Sequence, residues 1–266
     1  MVRVGVIGKG VVGGAVYDAL KFLGHKVSFY DPKYPDSIIK NILGTECVFI
    51  SVPTDSLEDG SCDTSIVERT VKELNDHCYQ GLIAIKSTVT PGTSDKLSAQ
   101  FPDLKICSVP EFLRAKSALS DFMYNHDLLV IGSHRNEDFE LVKKIHGKLP
   151  AHVSCVTPTE AEVIKYFNNV NHSVQIIFAT IFYDVCKKLG ANYDSVYKAI
   201  TQRDCFNPAY LMCNENIKGF GGHCLPKDTA AWANFMQDLG LDYTTIESVL
   251  ADNERIKNEQ NSSNRS

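Results

Sequence analysis

The 266 residues contain no C-x-x-C pair, although cysteine occurs nine times. An odd number of cysteines without that spacing does not read as a disulfide framework or a zinc site, and no metal is expected. Most of them (Cys47, Cys107, Cys186) lie in apolar runs and read as core residues of a reducing, cytoplasmic protein. No run approaches the ~18 uninterrupted apolar residues that suggest a membrane span. The first strand carries Arg3 and reaches glycine too soon for a secretory signal. No long basic cluster accompanies the net charge of −5, which argues against nucleic acid as a partner. Internal repeats and long linkers are missing too. What is present is 44% apolar residues, ample for a core, and enough length for two domains of ordinary size.

Residues 2–7 are a short β-branched run that leads into Gly8-Lys9-Gly10-Val11-Val12-Gly13, and a helical pattern follows through Ala15, Val16, Ala19, Leu20 and Leu23. Strand, G-x-G-x-x-G and helix in that order mark a dinucleotide site. The first glycine turns the chain, the second lets a pyrophosphate approach the backbone, and the third lets helix and strand pack closely. The phosphates then meet free N–H groups at the helix N-terminus. The next strand, 26–30, ends at Asp31, about 20 residues past the glycines, where a carboxylate accepts from the adenosine ribose hydroxyls. An acid there repels the extra phosphate of NADP, so NAD is expected. Strand-like runs at 47–52, 82–85, 104–109 and 128–131 alternate with helical patterns at 65–74 and 137–149. That alternation indicates a mostly parallel, doubly wound sheet. Ligands sit at the carboxyl ends of such strands, which brings Thr54, Thr88 and Glu111 to the edge of the glycine loop. Thr54 and Ser87 read equally well as turn or capping residues. Glu111 does so less well, because a carboxylate at a buried strand end needs a partner or a task.

Thr157-Pro158-Thr159-Glu160 is a helix start, with a cap, a proline at N1 and a capping box. Apolar residues recur from Val163 to Val185 and Gly190 supplies a stop, so a helix of about 30 residues, roughly 45 Å long, is expected. It is too long and too apolar for one small domain to cover, which predicts a homodimer through the 157–190 helix. Lys165 and Asn169 share one face of it. They either reach a substrate oxygen together or form an ordinary solvent-facing pair, and the apolar neighbours Val163, Ile164, Tyr166 and Phe167 favour a more buried setting. A helix at 194–201 precedes an irregular loop with Arg203, Asn207, Pro208 and Tyr210.

Next comes Gly219-Phe220-Gly221-Gly222-His223-Cys224-Leu225-Pro226-Lys227-Asp228. Its glycines let the backbone come close to a ligand. Pro226 reads as a residue near N1 of a helix, and a cysteine just ahead of that terminus sits in a field that favours the thiolate. The stretch is either an activated thiol in a backbone-lined pocket or a glycine-rich loop with an inert buried cysteine. Helical patterns at 229–239 and 243–256 follow, and the polar residues 258–266 read as a disordered tail. The expected division is an NAD-binding domain at 1–155, an all-α domain with the cysteine at 156–257, and the tail.

Taken together, these stretches resemble the UDP-glucose/GDP-mannose dehydrogenase family. The matching pieces stand in one order over roughly residues 1–250. They are the glycine loop, Ser51-Val52-Pro53-Thr54, Ser87-Thr88-Val89-Thr90-Pro91-Gly92-Thr93, Pro110-Glu111-Phe112-Leu113-Arg114, Glu162-Val163-Ile164-Lys165-Tyr166-Phe167-Asn168-Asn169, and Gly219 to Asp228, the most specific. The resemblance implies an α/β protein: a Rossmann-type doubly wound parallel sheet followed by an all-α domain built on one long helix. It implies a four-electron oxidation of a sugar 6-hydroxymethyl to a carboxylate with two NAD⁺, UDP-glucose to UDP-glucuronate being the leading case. It further implies Cys224 as nucleophile through a thiohemiacetal and a thioester, Lys165 as the stabiliser of alkoxide and oxyanion, and Asn169 as a positioner. Asp228 and Thr88 would hold a water, with Glu111 as a further acid or base in hydrolysis. By the same resemblance Gly8, Lys9, Gly10, Val11, Val12, Gly13, Asp31, Thr54, Ser87, Thr88 and Lys227 hold the cofactor. Glu111, Phe112, Leu113, Lys165, Asn169, Tyr210, Phe220, Gly221 and Cys224 line the nucleotide-sugar site. The family usually carries a second α/β domain, and the chain stops at 266, so a short form without that UDP-binding domain is expected. Two other readings stand beside this one. A β-hydroxyacid dehydrogenase of the 6-phosphogluconate type also uses a lysine and an asparagine four apart but has no need of Cys224. A NAD-binding remnant would serve as a non-catalytic subunit.

Overall fold

The computed structural model describes residues 1–206 and 208–263; Asn207 and residues 264–266 lie outside the described residues. The chain forms two compact units, the first of Met1–Asp55 and Cys62–Lys165, the second of Ser56–Ser61 and the chain from Tyr166 onward.

The first unit alternates strands and helices: β1 (Arg3–Ile7), α1 (Val11–Phe22), β2 (Lys26–Tyr30), β3 (Cys47–Ile50), α2 (Ser65–Asp76), β4 (Leu82–Ile85), α3 (Thr93–Gln100), β5 (Lys105–Ser108), α4 (Ala118–Tyr124), β6 (Leu128–Gly132), α5 (Asn136–His146) and β7 (His152–Val156). One seven-stranded sheet results, ordered β2-β1-β3-β4-β5-β6-β7. It is parallel except where β6 meets β5. Successive side chains point to opposite faces. Val4, Val6, Phe49, Ala84 and Cys107 therefore pack with Val16 and Leu20 of α1, Phe122 of α4 and Val142 of α5. Ile7, Val48, Ile50, Ile83, Ile85 and Ile106 pack on the other face with Val67 and Val71 of α2 and Leu97 of α3. Covering both faces is what makes β3 and β4 apolar at every position. Strand β7 has no such run, being half-exposed at the sheet edge, and sequence patterning missed it. The chain order reverses between β1 and β3, which opens a crevice beyond their carboxyl ends.

Helix α6 (Pro158–Leu189) starts in the first unit and continues into the second. Its capping box is made as expected: Glu160 N donates to Thr157 Oγ1 at 3.3 Å and Thr157 N to Glu160 Oε2 at 2.7 Å. Its opening turns belong to the sheet unit because they lie almost on β6. A Cβ added to Gly132 would stand 2.6 Å from Ala161 Cβ. The two compact units therefore meet inside this helix, between Lys165 and Tyr166.

The second unit adds α7 (Tyr193–Ile200), α8 (Cys224–Asp238) and α9 (Thr245–Ser263). Ile177 of α6, Phe220, and Val249 and Ile256 of α9 form its main cluster. The turn at 56–61 is tied to α8 by Asn234 Nδ2 donating to Asp59 O at 2.6 Å. Two expectations change here. Residues 258–263, read as part of a disordered tail, continue α9. The apolar stripe stops at Ile256, but Arg255 pairs with Glu259 at 3.4 Å and Ser262 Oγ donates to Asn258 O at 2.9 Å, so polar i,i+4 contacts carry the last turns. Helix α8 begins at Cys224 itself, which puts Pro226 at the third helical position. The first helical N–H groups have no intrahelical partner, so proline is tolerated there as at N1. Among the described residues, no helix is long and apolar enough to cross a membrane, and none of the nine cysteines is in a disulfide.

Candidate active site

The glycine loop between β1 and α1 is shaped by close approach. Gly8 has φ +83°, and a Cβ there would stand 2.5 Å from Ser51 O; one on Gly13 would stand 1.8 Å from Gly8 O. Only glycine fits either position. Around Gly10, which caps α1, an added Cβ would meet nothing within 4 Å. The first turn of α1, with Val11, Val12 and Gly13, has no acidic residue, so its unbonded N–H groups suit an anion. Asp31 accepts from Lys9 N at 2.7 Å and Lys33 N at 2.9 Å, which ties its carboxylate to the loop and leaves lone pairs for ribose hydroxyls. The Lys9 ammonium lies 4.2 Å from the ring centroids of Tyr17 and Phe29 and secures the loop by cation–π contact. An open cradle at Gly10, a helix terminus free of acid and a nearby anchored carboxylate fit the pyrophosphate and ribose of NAD.

Beyond the glycine loop, Thr54 is buried past β3. Ser87 Oγ donates to Val52 O at 2.7 Å, joining the ends of β3 and β4, and the Thr88 carbonyl accepts from Cys62 Sγ at 3.5 Å. Past β5, Glu111 Oε1 accepts from Phe112 N at 2.9 Å, and Oε2 lies 2.9 Å from Lys86 Nζ. Both side chains of that ion pair are buried. Burial works to raise the Glu111 carboxyl; the Lys86 ammonium overcomes it and holds the group below the usual glutamate range. The main-chain oxygen of Glu111 accepts from Lys165 Nζ at 2.6 Å, and the same ammonium lies 5.5 Å from the Phe112 ring. Leu113 packs against the core on the α1 side of the sheet. The first unit thus brings Glu111, Phe112 and Lys165 together. Lys86 was missed in the sequence, although a cation directly after four buried strand residues is a usable signal.

The second unit brings together Asn169, Asp228 and Lys227. Asn169 Nδ2 donates to Asp228 Oδ2 at 2.5 Å, and Lys227 Nζ lies 2.6 Å from Asp228 Oδ1. Asn168, which no sequence argument singled out, donates to Asn169 Oδ1 at 2.9 Å and so orients the amide. Cys224 is exposed on the first turn of α8, one turn before Asp228. The glycine stretch ahead of it is anchored by Gly219 N donating to Thr180 Oγ1 at 3.2 Å and Phe220 N to Asn253 Oδ1 at 2.7 Å. Phe220 is only 2% exposed and belongs to the core, whereas Gly221 is exposed. Tyr210, at φ +63°, lies against His172 of α6 with ring centroids 3.9 Å apart and planes tilted by 30°.

A doubly wound sheet with a dinucleotide cradle, followed by helices that present a cysteine at a helix start, defines a two-domain NAD-binding protein of dehydrogenase architecture. The chain belongs to the UDP-glucose/GDP-mannose dehydrogenase family: residues 33–150 match that family's NAD binding domain and residues 159–255 its central domain. It is 30% identical over 248 residues to the UDP-glucose 6-dehydrogenase of Rickettsia prowazekii, covering 90% of this chain and 56% of that one. It is 27% identical to the GDP-mannose 6-dehydrogenase of Pseudomonas aeruginosa over 80% of this chain and 52% of that one. The solved UDP-glucose dehydrogenase of Pyrobaculum islandicum superposes with a TM-score of 0.87 at 29% identity, over 96% of this chain and 68% of that one. The chain spans about half the length of the curated relatives it matches.

Proposed function

We propose that the chain is an NAD-dependent nucleotide-sugar 6-dehydrogenase, with UDP-glucose as the leading substrate and UDP-glucuronate as product. The observation that carries this reading is the exposed Cys224 at the start of α8, one turn from an Asp228 that Asn169 and Lys227 hold in place. NAD⁺ held by the Gly8–Gly13 loop and Asp31 would supply the hydride acceptor for each of two successive oxidations of the substrate carbon. The Cys224 sulfur adds to the C6 aldehyde left by the first, and the carbonyl oxygen takes up a proton. Loss of hydride and proton from that thiohemiacetal leaves a thioester. Water cleaves its C–S bond, releasing the carboxylate and returning the thiol. Lys165 donates to the substrate oxygen as it gains charge, and its present contact with the Glu111 main-chain oxygen supports that role. Asn169 positions the same oxygen, while Asp228 and Thr88 hold the water. A homodimer through the 157–190 helix belongs to the same reading, supported by Phe178, Ile181, Phe182 and Leu189 of α6, which are about half-exposed or more. So does a cytoplasmic setting, supported by nine cysteines none of which is in a disulfide.

The decisive measurement is NADH formed per UDP-glucose consumed. Two per sugar, abolished in Cys224→Ser, is the expected result. One per sugar, with Cys224→Ser fully active, replaces this reading with a β-hydroxyacid dehydrogenase. NAD⁺ binding without NADH from any UDP- or GDP-sugar replaces it with a non-catalytic subunit.

A further inference from the structure

Glu162 stands at the head of the motif that carries Lys165 and Asn169, yet the reaction above gives it no task. It lies on the second turn of α6 and is only 2% exposed. Its Oε2 accepts from Gly92 N at 2.6 Å, and its Oε1 accepts from Ser94 N at 3.0 Å and Ser94 Oγ at 2.6 Å. The carboxylate therefore caps α3, 68 residues away in the chain, and takes up N–H groups that the helix start leaves unbonded. Thr159, one turn earlier on α6, donates to Asp95 Oδ2 of α3 at 2.7 Å, so two successive turns are fastened to the same helix start. The fastened turn closes the loop that leaves β4 through Ser87 and Thr88. Three residues past Glu162 on α6 is Lys165, whose ammonium reaches Glu111 O.

We infer that Glu162 is a positioning residue: by locking the opening turns of α6 onto the start of α3, it holds Lys165 and the Ser87-Thr88 loop in one frame. The inference rests on the proposed roles of Lys165 and Thr88 in the dehydrogenase reaction. A carboxylate suits this task better than an amide, because all three groups facing it are donors and a glutamine would turn an N–H₂ toward one of them. The alternative is that Glu162 is a helix cap of purely structural value.

The test uses the full chain with Glu162→Gln, and Ser94→Ala as a milder variant that removes one donor. Two readouts need no turnover: amide hydrogen exchange at Gly92 and Ser94, and acetylation of Lys165 by an N-hydroxysuccinimide ester. In Glu162→Gln, exchange at both amides is expected to quicken roughly tenfold or more and Lys165 labelling to rise. With UDP-glucose and NAD⁺, kcat is expected to fall on the order of 10- to 100-fold while KM for UDP-glucose stays near the wild-type value. Unchanged Lys165 labelling in a variant that has lost protection at Gly92 overturns the inference, as does an unchanged kcat. A wild-type chain that makes no NADH removes the dehydrogenase reading instead, and the exchange and labelling results still decide whether Glu162 places Lys165.

Discussion

Two glutamates of the sheet unit are buried to nearly the same degree, Glu111 at 7% exposure and Glu162 at 2%, and their surroundings treat the charge in opposite ways. At the end of β5, Glu111 is matched by a buried cation, and the pairing with Lys86 outweighs the cost of burial. At the start of α3, Glu162 meets three neutral donors and, in Asp95, another acid. Burial dominates there and pushes its carboxyl up to about 7 despite those hydrogen bonds. A counter-ion thus stabilises a buried carboxylate more firmly than neutral donors do, and the two sites differ in what breaks them.

The largest expected effect comes from removing the counter-ion. Lys86→Met leaves the Glu111 charge uncompensated and costs about 3–5 kcal/mol, read from urea unfolding at pH 7. Adding Glu111→Gln to the same chain recovers most of the loss. A Lys86→Met protein within about 1 kcal/mol of wild type shows that the pair does not hold this edge of the sheet together.

The next effect is a pH slope whose sign separates the two carboxylates. Glu162 sits above the ordinary glutamate value of 4.5 in the fold, so its contribution is fully present below about pH 4.5 and is lost as the pH rises through about 7. Wild-type stability measured against Glu162→Gln therefore falls by on the order of 3 kcal/mol between those limits. Glu111 is held below its ordinary value, so its contribution is present above about pH 4.5 and lost only as the pH falls through its lower folded value. Measured against the Lys86→Met/Glu111→Gln pair, the slope is reversed. Parallel slopes would end the contrast.

The smallest effect sharpens the donor side. Ser94→Ala deletes one of the three hydrogen bonds to Glu162 and leaves the two from backbone N–H groups. A loss of about 1 kcal/mol is expected at pH 8 and less at pH 5, where the carboxyl is neutral. Equal losses at both pH values would mean that the hydroxyl serves packing instead of the charge.

Much of the architecture was legible because its signals are local. The glycine loop needs one residue type at three positions in six. Strands β3 and β4 are apolar at every residue, and α6 announces both its start and its stop within a few residues of each end. The misses share a cause. Strand β7 is held by pairing with β6 over five residues and has no pattern of its own. The last turns of α9 are polar and resemble a tail until their i,i+4 contacts are seen. Among the candidate site residues, those named for chemistry were easier to find than those that hold them: Lys165 and Asn169 stood out, and Lys86 and Glu162 did not.

The amino-acid order by itself determined most of the strands and helices, β7 and the last turns of α9 excepted, where the cradle for a dinucleotide lies, and that one cysteine follows a run of glycines into a helix. These depend on backbone freedom and on periods of two and 3.6 residues, which act over a dozen residues or fewer. Only the tertiary structure decided how the buried charges are met. The Glu111 oxygen under Lys165 comes from 54 residues away and the donors on Glu162 from 68 to 70, and separations of that size are set by strand order and helix packing. A charge in the interior must find its partner wherever the fold brings one, because leaving it unmatched costs more than most single contacts in the chain can return.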